Sequence, residues 1–151
     1  MKKTSLMILL LITITAAVSF PSDNIRPCTI DITVKGLTNN RGKLAVAVFR
    51  SQKGFPEDDK SAYRKWYDSV KGKSANISFE KLPPGKYAVS VLHDENSNTR
   101  MDRNFFGAPK EGYGVSKNVR TFMRAPRFDE AAVNITTGTL KLDIKLVYPG
   151  D

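Results

Sequence analysis

The chain has one cysteine, Cys28, and one histidine, His93, among 151 residues. A lone cysteine excludes an internal disulfide, so packed apolar side chains must supply the stability. One histidine and one cysteine without paired spacing also exclude an ordinary zinc site, which takes several such ligands. A lipoprotein anchor at Cys28 is excluded because Arg26 and Pro27 precede it where a small residue is required. Burial near the first strand is the expectation for this thiol. Acid is scarce relative to base: 15 Asp and Glu stand against 24 Lys and Arg, for a net charge of +9. Beyond residue 20 no run is long and apolar enough to span a bilayer. A long amphipathic helix, an internal repeat and a low-complexity tract are all missing as well.

The first 20 residues differ from the rest. Lys2 and Lys3 precede an apolar run from Leu6 to Ile14, and small residues follow at Ala16, Ala17 and Ser19. That order predicts a secretory signal peptide over 1–19, with Ala17-Val18-Ser19 as the cleavage rule and Phe20 as the first mature residue. Leu6 to Phe20 is 15 residues, short of the roughly 20 a spanning helix needs. Cleavage would leave 132 residues, enough for a hydrophobic core, and would lower the net charge to +7 by removing two lysines. The expected location is therefore periplasmic or extracellular, with association to an outer membrane as a variant. An exported basic protein rarely meets nucleic acid. Its charge fits anionic envelope polymer, lipid or glycan, or serves only to keep the protein soluble.

The remainder divides into a 20–28 extension and a single domain over 29–148. Ile30, Ile32 and Val34 alternate with polar residues and predict a half-buried strand. "LAVAVF" (44–49) is apolar on both faces, as a central strand would be. With the Asn39-Asn40-Arg41-Gly42 turn cluster between them, the two read as a hairpin. Residues 51–73 break at Gly54-Phe55-Pro56 and suit a short helix or an ordered excursion, with Trp66 as a lid on the core. Alternation returns at Ala75, Ile77, Phe79 and at Tyr87, Val89, Val91, joined by the sharp turn of "LPPGKY". Tyr87, just after that corner, is similar to the tyrosine corner of β-sandwiches. Residues 94–127 form a long connection. "FDEAAVNIT" (128–136) offers a strand with a bulge or a short helical turn. Leu140, Leu142, Ile144 and Leu146 end the pattern. Six to seven short strands predict an all-β, antiparallel β-sandwich, prealbumin- or immunoglobulin-like, with one long loop.

The chemistry concentrates in that loop. "HDENSNTRMD" (93–102) places Asp94, Asn96 and Asn98 at every second position, with Asp102 after them. These are hard oxygen ligands at calcium-loop spacing. The match fails at the sixth position, Thr99 instead of glycine, and at the twelfth, Phe105 instead of a bidentate glutamate. Asp and Asn also favour turns by bonding their own backbone. The loop thus reads as chiefly structural, with optional weak calcium through Asp94, Asn96, Asn98 and Asp102. Further along, Arg100, Arg103, Lys110, Lys117, Arg120, Arg124 and Arg127 alternate with aromatics. His93, Arg103, Phe105, Phe106, Lys110, Glu111 and Tyr113 form a candidate ligand or interface loop. The aromatics would stack on sugar rings or tuck the loop onto the sandwich.

"LPPGKYAVSVLHDENSN", "MDRNFFGAPKEGYGVSKN" and "FDEAAVNI" together resemble the bacterial domain-of-unknown-function 2141 family, over roughly Ile30 to Tyr148. The resemblance implies an exported all-β protein of unresolved biochemical role. "PPGKY" is also similar to prealbumin-like and carboxypeptidase-regulatory-like sandwich modules. Catalysis is the least favoured reading. Ser116 and Asp94 or Asp102 could join His93, but no nucleophile-elbow motif frames a serine. Asp94 with Glu111 is a carboxylate pair of the kind common in loops. The sequence thus reads as an exported, envelope-associated, non-catalytic binding or structural accessory module without a resident cofactor.

Overall fold

Residues 26–121 and 124–150 are described by a computed structural model of the chain. The expected signal peptide and most of the 20–28 extension lie outside them. Eight strands follow in order: β1 (Cys28–Lys35), β2 (Lys43–Phe49), β3 (Arg64–Ser69), β4 (Ser74–Leu82), β5 (Gly85–Asp94), β6 (Gly112–Val115), β7 (Val133–Ile135) and β8 (Thr139–Lys145). Among the described residues the one α-helical turn, α1 (Phe128–Ala131), precedes β7. One sheet has the order β4-β1-β8, and the other runs β3-β2-β5-β6 with β7 also paired to β5. The all-β sandwich expected from the alternating runs is the fold. All pairings between these strands are antiparallel except one: β8 lies parallel to β1, with Ile32 beside Leu142 and Val34 beside Ile144.

Alternation sets the layers. Ile30, Ile32 and Val34 of β1, Ile77 and Phe79 of β4 and Ile144 of β8 face Leu44, Val46 and Val48 of β2 and Tyr87, Val89 and Val91 of β5. Cys28 is buried in the same core, as expected. The opposite face of the three-stranded sheet is polar. There Ser78 donates to Asp31 (2.7 Å), Thr33 donates to Asn76 (3.0 Å), and Lys35 pairs with Asp143 (3.0 Å).

The expected hairpin of residues 30–34 with 44–49 does not form. β1 pairs with β4 and β8, while β2 pairs with β3 and β5. Both strands need a hydrophobic partner layer, and placing them in opposite sheets buries each against the other's apolar face. The 36–42 connection therefore crosses between sheets. The 51–73 excursion carries a cis Phe55–Pro56 bond and a 3₁₀ turn at Asp59–Ser61 before it becomes β3, an edge strand. Trp66 packs half-buried against the main core, as a lid would.

β5 organises the second sheet. One edge is taken by β2 from Ala88 to Asp94. The other edge is shared in series, β7 covering Gly85–Tyr87 and β6 covering Ser90–His93. The gap between them leaves the Val89 amide without a strand partner. It donates instead to the Ser116 hydroxyl (3.0 Å), which in turn donates to the Ala131 carbonyl (2.7 Å). Ser116 is thus a plug in a broken ladder, satisfying a buried backbone group that would otherwise be costly. At the start of β5 the Tyr87 hydroxyl donates to the Pro83 carbonyl, four residues back, the geometry of a tyrosine corner.

Candidate functional site

β2 and β5 are apolar on both faces, yet the main core uses only one. Their other face carries Ala45, Ala47 and Phe49, then Ala88, Ser90 and Leu92 on the neighbouring strand. A second small core covers one end of it. Phe49, Phe55 and Phe128 meet edge to face there, with ring centroids 5.4 and 6.1 Å apart, over Ala88, Val115 and Ala131. Over the other end arches the 95–110 loop. Between the two remains a cleft of about 510 Å³.

The floor of this cleft is Ala45, Ala47, Ser90 and Leu92, small enough to leave room above the sheet. Tyr67 of β3 and Tyr113 of β6 rise on either side, and Met101 and Phe106 come from the loop. The charged rim is paired within the protein. Arg103 meets Glu57 and also donates to the Gly107 carbonyl (2.7 Å). Arg124 forks onto Glu130 through two bonds of 2.9 and 2.6 Å. That fork, with the Arg127 amide, holds the Glu130 carboxyl down at about 2. The Tyr67 hydroxyl donates to Asp59. Burial first, then the bond to Asp59, pushes the Tyr67 hydroxyl up, and the same bond lowers Asp59. Tyr67 therefore stays a neutral donor at physiological pH.

The roof is held by its own polar groups. Asp94, buried at the end of β5, accepts from the amides of Asn98 (3.0 Å) and Thr99 (2.8 Å). Asn96 Oδ1 accepts from the Asn98 amide (3.1 Å), and Asn98 Oδ1 from that of Arg100 (3.0 Å). The amide groups of Asn96 and Asn98 both donate to Asp102, at 2.6 and 2.9 Å. Ser97 and Thr99 take left-handed backbone, φ +60° and +67°. Glu111, itself buried, clasps the loop from below through the amides of Glu95 and Asp102, both at 3.0 Å. Among the described residues no group of three or more His, Cys, Asp and Glu side chains is placed to hold a metal ion.

Of the residues singled out in sequence, the structure brings Arg103, Phe106 and Tyr113 to the cleft. Phe105 and Lys110 stand exposed on the loop. His93 lies elsewhere. It is fully buried on the inner face of β5, its Nδ1 2.6 Å from the Tyr148 hydroxyl and its Nε2 2.9 Å from the Arg41 carbonyl. A carbonyl only accepts, so Nε2 carries the proton, and in the neutral ring Nδ1 accepts from Tyr148. Ser116 is equally buried and bonded to other partners, so the two do not form a nucleophile–base pair. Asp94 and Glu111 have their oxygens filled by backbone amides rather than turned to solvent. The sequence reading missed the floor, Ala45, Ala47 and Ser90. Its signal was present: two strands apolar on both faces in a chain with a single expected core.

Fold and cleft together define a two-sheet β-sandwich that carries a loop-roofed apolar cleft on one outer face. The chain belongs to a family described as uncharacterized protein conserved in bacteria (DUF2141), whose model matches residues 32–143. That span takes in β1 from Ile32, the cleft, the roof and most of β8. No curated protein and no solved structure matches the chain. Among the described residues no helix is long and apolar enough to cross a membrane.

Proposed function

We propose that this protein is an exported, non-catalytic binding module that holds an apolar ring or acyl segment of an envelope molecule in the cleft beneath the 95–110 loop. The cleft carries the reading. Its volume of about 510 Å³ falls within the roughly 300–1,000 Å³ of small-molecule sites, which combine apolar walls with a few placed polar groups. Because Arg103 and Arg124 are neutralised by Glu57 and Glu130, shape and apolar contact do more of the selecting than net charge. The Tyr67 and Tyr113 rings give flat surfaces for an apolar or sugar face. The burial of His93 and Ser116 supports a role without catalysis.

N-phenylnaphthylamine, an apolar dye that brightens out of water, tests this directly. Saturable binding is expected for the natural chain. Ala45→Trp, which fills the floor from a half-buried position, should weaken it at least tenfold while the thermal melt stays close to that of the natural chain. Equal binding by both proteins would sink the cleft reading. Export has a separate check: N-terminal sequencing of protein from the native cell should begin near Phe20. An intact Met1 terminus on soluble cytoplasmic protein would remove that half of the proposal.

A second reading, weak calcium at the roof, has one observation in its favour. The amides of Asn96 and Asn98 converge on the Asp102 carboxylate. A cation beside Asp102 would require both amides to turn over, which gives up the bonds their oxygens accept from the Asn98 and Arg100 amides and so weakens the site. Without a bidentate glutamate in the twelfth position, affinity is expected at about 10⁻⁴ to 10⁻³ M.

A further inference from the structure

Phe105 and Phe106 are 97 % and 90 % exposed, the most exposed large apolar side chains among the described residues. They are not on a loose strand of chain. Residues 102–110 fold back on themselves: the Lys110 amide donates to the Asp102 carbonyl (2.8 Å), Arg103 bridges to Pro109, and the Asn104 amide donates to the Ala108 carbonyl (2.8 Å). At the tip the Asn104 side-chain oxygen accepts from the amides of Phe106 and Ala108, both at 3.0 Å. The Gly107 amide closes the turn on the Asn104 carbonyl (2.9 Å). The two rings stand edge to face, centroids 5.5 Å apart. A short, internally bonded stalk therefore presents a preorganised pair of phenyl groups to water.

What suits such a tip is set by its shape and its neighbours. It is convex, so it fits a fluid layer that can open around it. Arg100 and Lys110 flank it, both exposed and neither in an ion pair among the described residues. The whole chain is positive, at +9, which disfavours docking a second copy and favours an anionic surface. Aromatic side chains at the end of a basic protrusion match the headgroup–acyl boundary of a bilayer, where apolar burial and attraction to anionic lipid add.

We infer that the 103–109 tip is a membrane-docking element: Phe105 and Phe106 enter the interface of a lipid layer bearing anionic headgroups, with Arg100 and Lys110 against those headgroups. The inference shares the envelope setting proposed above but does not depend on the cleft. Phe106 also borders the cleft, so docking through the tip brings the cleft mouth to the lipid surface.

The test is co-sedimentation of the protein, as the cell yields it, with vesicles of phosphatidylglycerol and phosphatidylcholine in equal parts, and with phosphatidylcholine alone. The expected result is preferential binding to the anionic vesicles, lowered at least tenfold in Phe105→Ser/Phe106→Ser and several-fold in Arg100→Glu/Lys110→Glu. Salt at about 0.5 M should weaken it by screening the attraction. The variants share every other residue, so any apolar N-terminal residues contribute equally to all. Both pairs of changes sit on exposed positions, and coincident circular dichroism spectra and melts would confirm intact folding. Undiminished sedimentation of the Phe double variant would overturn the inference. So would equal binding to both vesicle types, or a tip-dependent dimer in solution without vesicle binding, which would assign the phenyl pair to a second copy. Phe106 lines the cleft but Phe105 does not, so Phe105→Ser alone repeats the vesicle test with the cleft wall intact. Ala45→Trp, which blocks the cleft, should sediment like the natural chain. The two proposals then fail separately.

Discussion

Gly42→Ala is expected to lower the unfolding free energy by about 2–5 kcal/mol. The residue sits at φ +65°, and a Cβ added there would lie 1.9 Å from the Asp94 carbonyl oxygen and 2.7 Å from the Glu95 carbonyl carbon. Left-handed backbone alone costs a non-glycine residue roughly 1–2 kcal/mol. The clash adds about 1–3 kcal/mol or more, because what must move is backbone rather than a flexible side chain. It cannot move freely: Lys43, next along the chain, pairs with Asp94, and the Arg41 carbonyl accepts a hydrogen bond from His93 Nε2. Urea denaturation measures the loss. Gly72→Ala is the control, since Gly72 also has positive φ but nothing within 4 Å of its added Cβ. It should cost only the left-handed backbone strain, roughly 1–2 kcal/mol. Similar losses in the two variants would mean that the close approach of the 36–42 crossing to the loop base contributes nothing.

Asp94→Ala comes next, at about 3 kcal/mol. The buried carboxylate accepts from two backbone amides, and hydrogen bonds to a charged group are worth roughly 1.5–3 kcal/mol each. Alanine takes the carboxylate from the Thr99 amide and leaves the Asn98 amide only its bond to the Asn96 oxygen. Because this roof also walls the cleft, dye affinity should fall with stability, whereas Ala45→Trp lowers affinity alone. Repeating the melts of wild type and Asp94→Ala in millimolar calcium separates the two readings of the loop. A shift of a degree or two in wild type agrees with a weak site. A submicromolar dissociation constant that the mutant loses would make calcium integral to the fold.

Much of this was legible in the residues, and the misses have physical causes. The inward faces of β1, β4, β5 and β8 were readable because Ile, Val, Phe and Leu alternate with charge on strands buried on one side. β3 was not, because "RKWYDS" is an edge strand exposed along most of its length, and charge on an edge protects it from further pairing. β6, "GYGV", hid behind two glycines. Gly112 lies against the Tyr148 ring and Gly114 against Ile144, so both read as loop while serving close packing. Pairing partners were the least visible. Proximity in sequence argues for a β1–β2 hairpin, and only burial across two layers argues against it. In the loop, the Asp-x-Asn-x-Asn spacing correctly announced a self-bonded turn. Glu111 gave no local sign of its clasp on Glu95 and Asp102, since those contacts exist only once the chain has doubled back. His93 could be placed inward from its phase with Tyr87, Val89 and Val91, even though the residues that follow it are all polar.

The parallel pairing of β8 with β1 bears on when the protein can finish folding. Thr29 meets Thr139 and Lys35 meets Lys145, so the ladder joins the first strand of the domain to the last. Closing so large a loop is slow, because the ordering entropy is spent before those contacts form. β2, β3 and β5 can assemble earlier from nearer neighbours, but β1 keeps an open edge, and Ile144 is missing from the core, until the final strand arrives. A nascent chain stopped short of Thr139 therefore stays incompletely packed however long it waits. Under the export proposed above, that dependence on β8 would work as a timer, postponing the commitment to a folded shape until that strand has emerged.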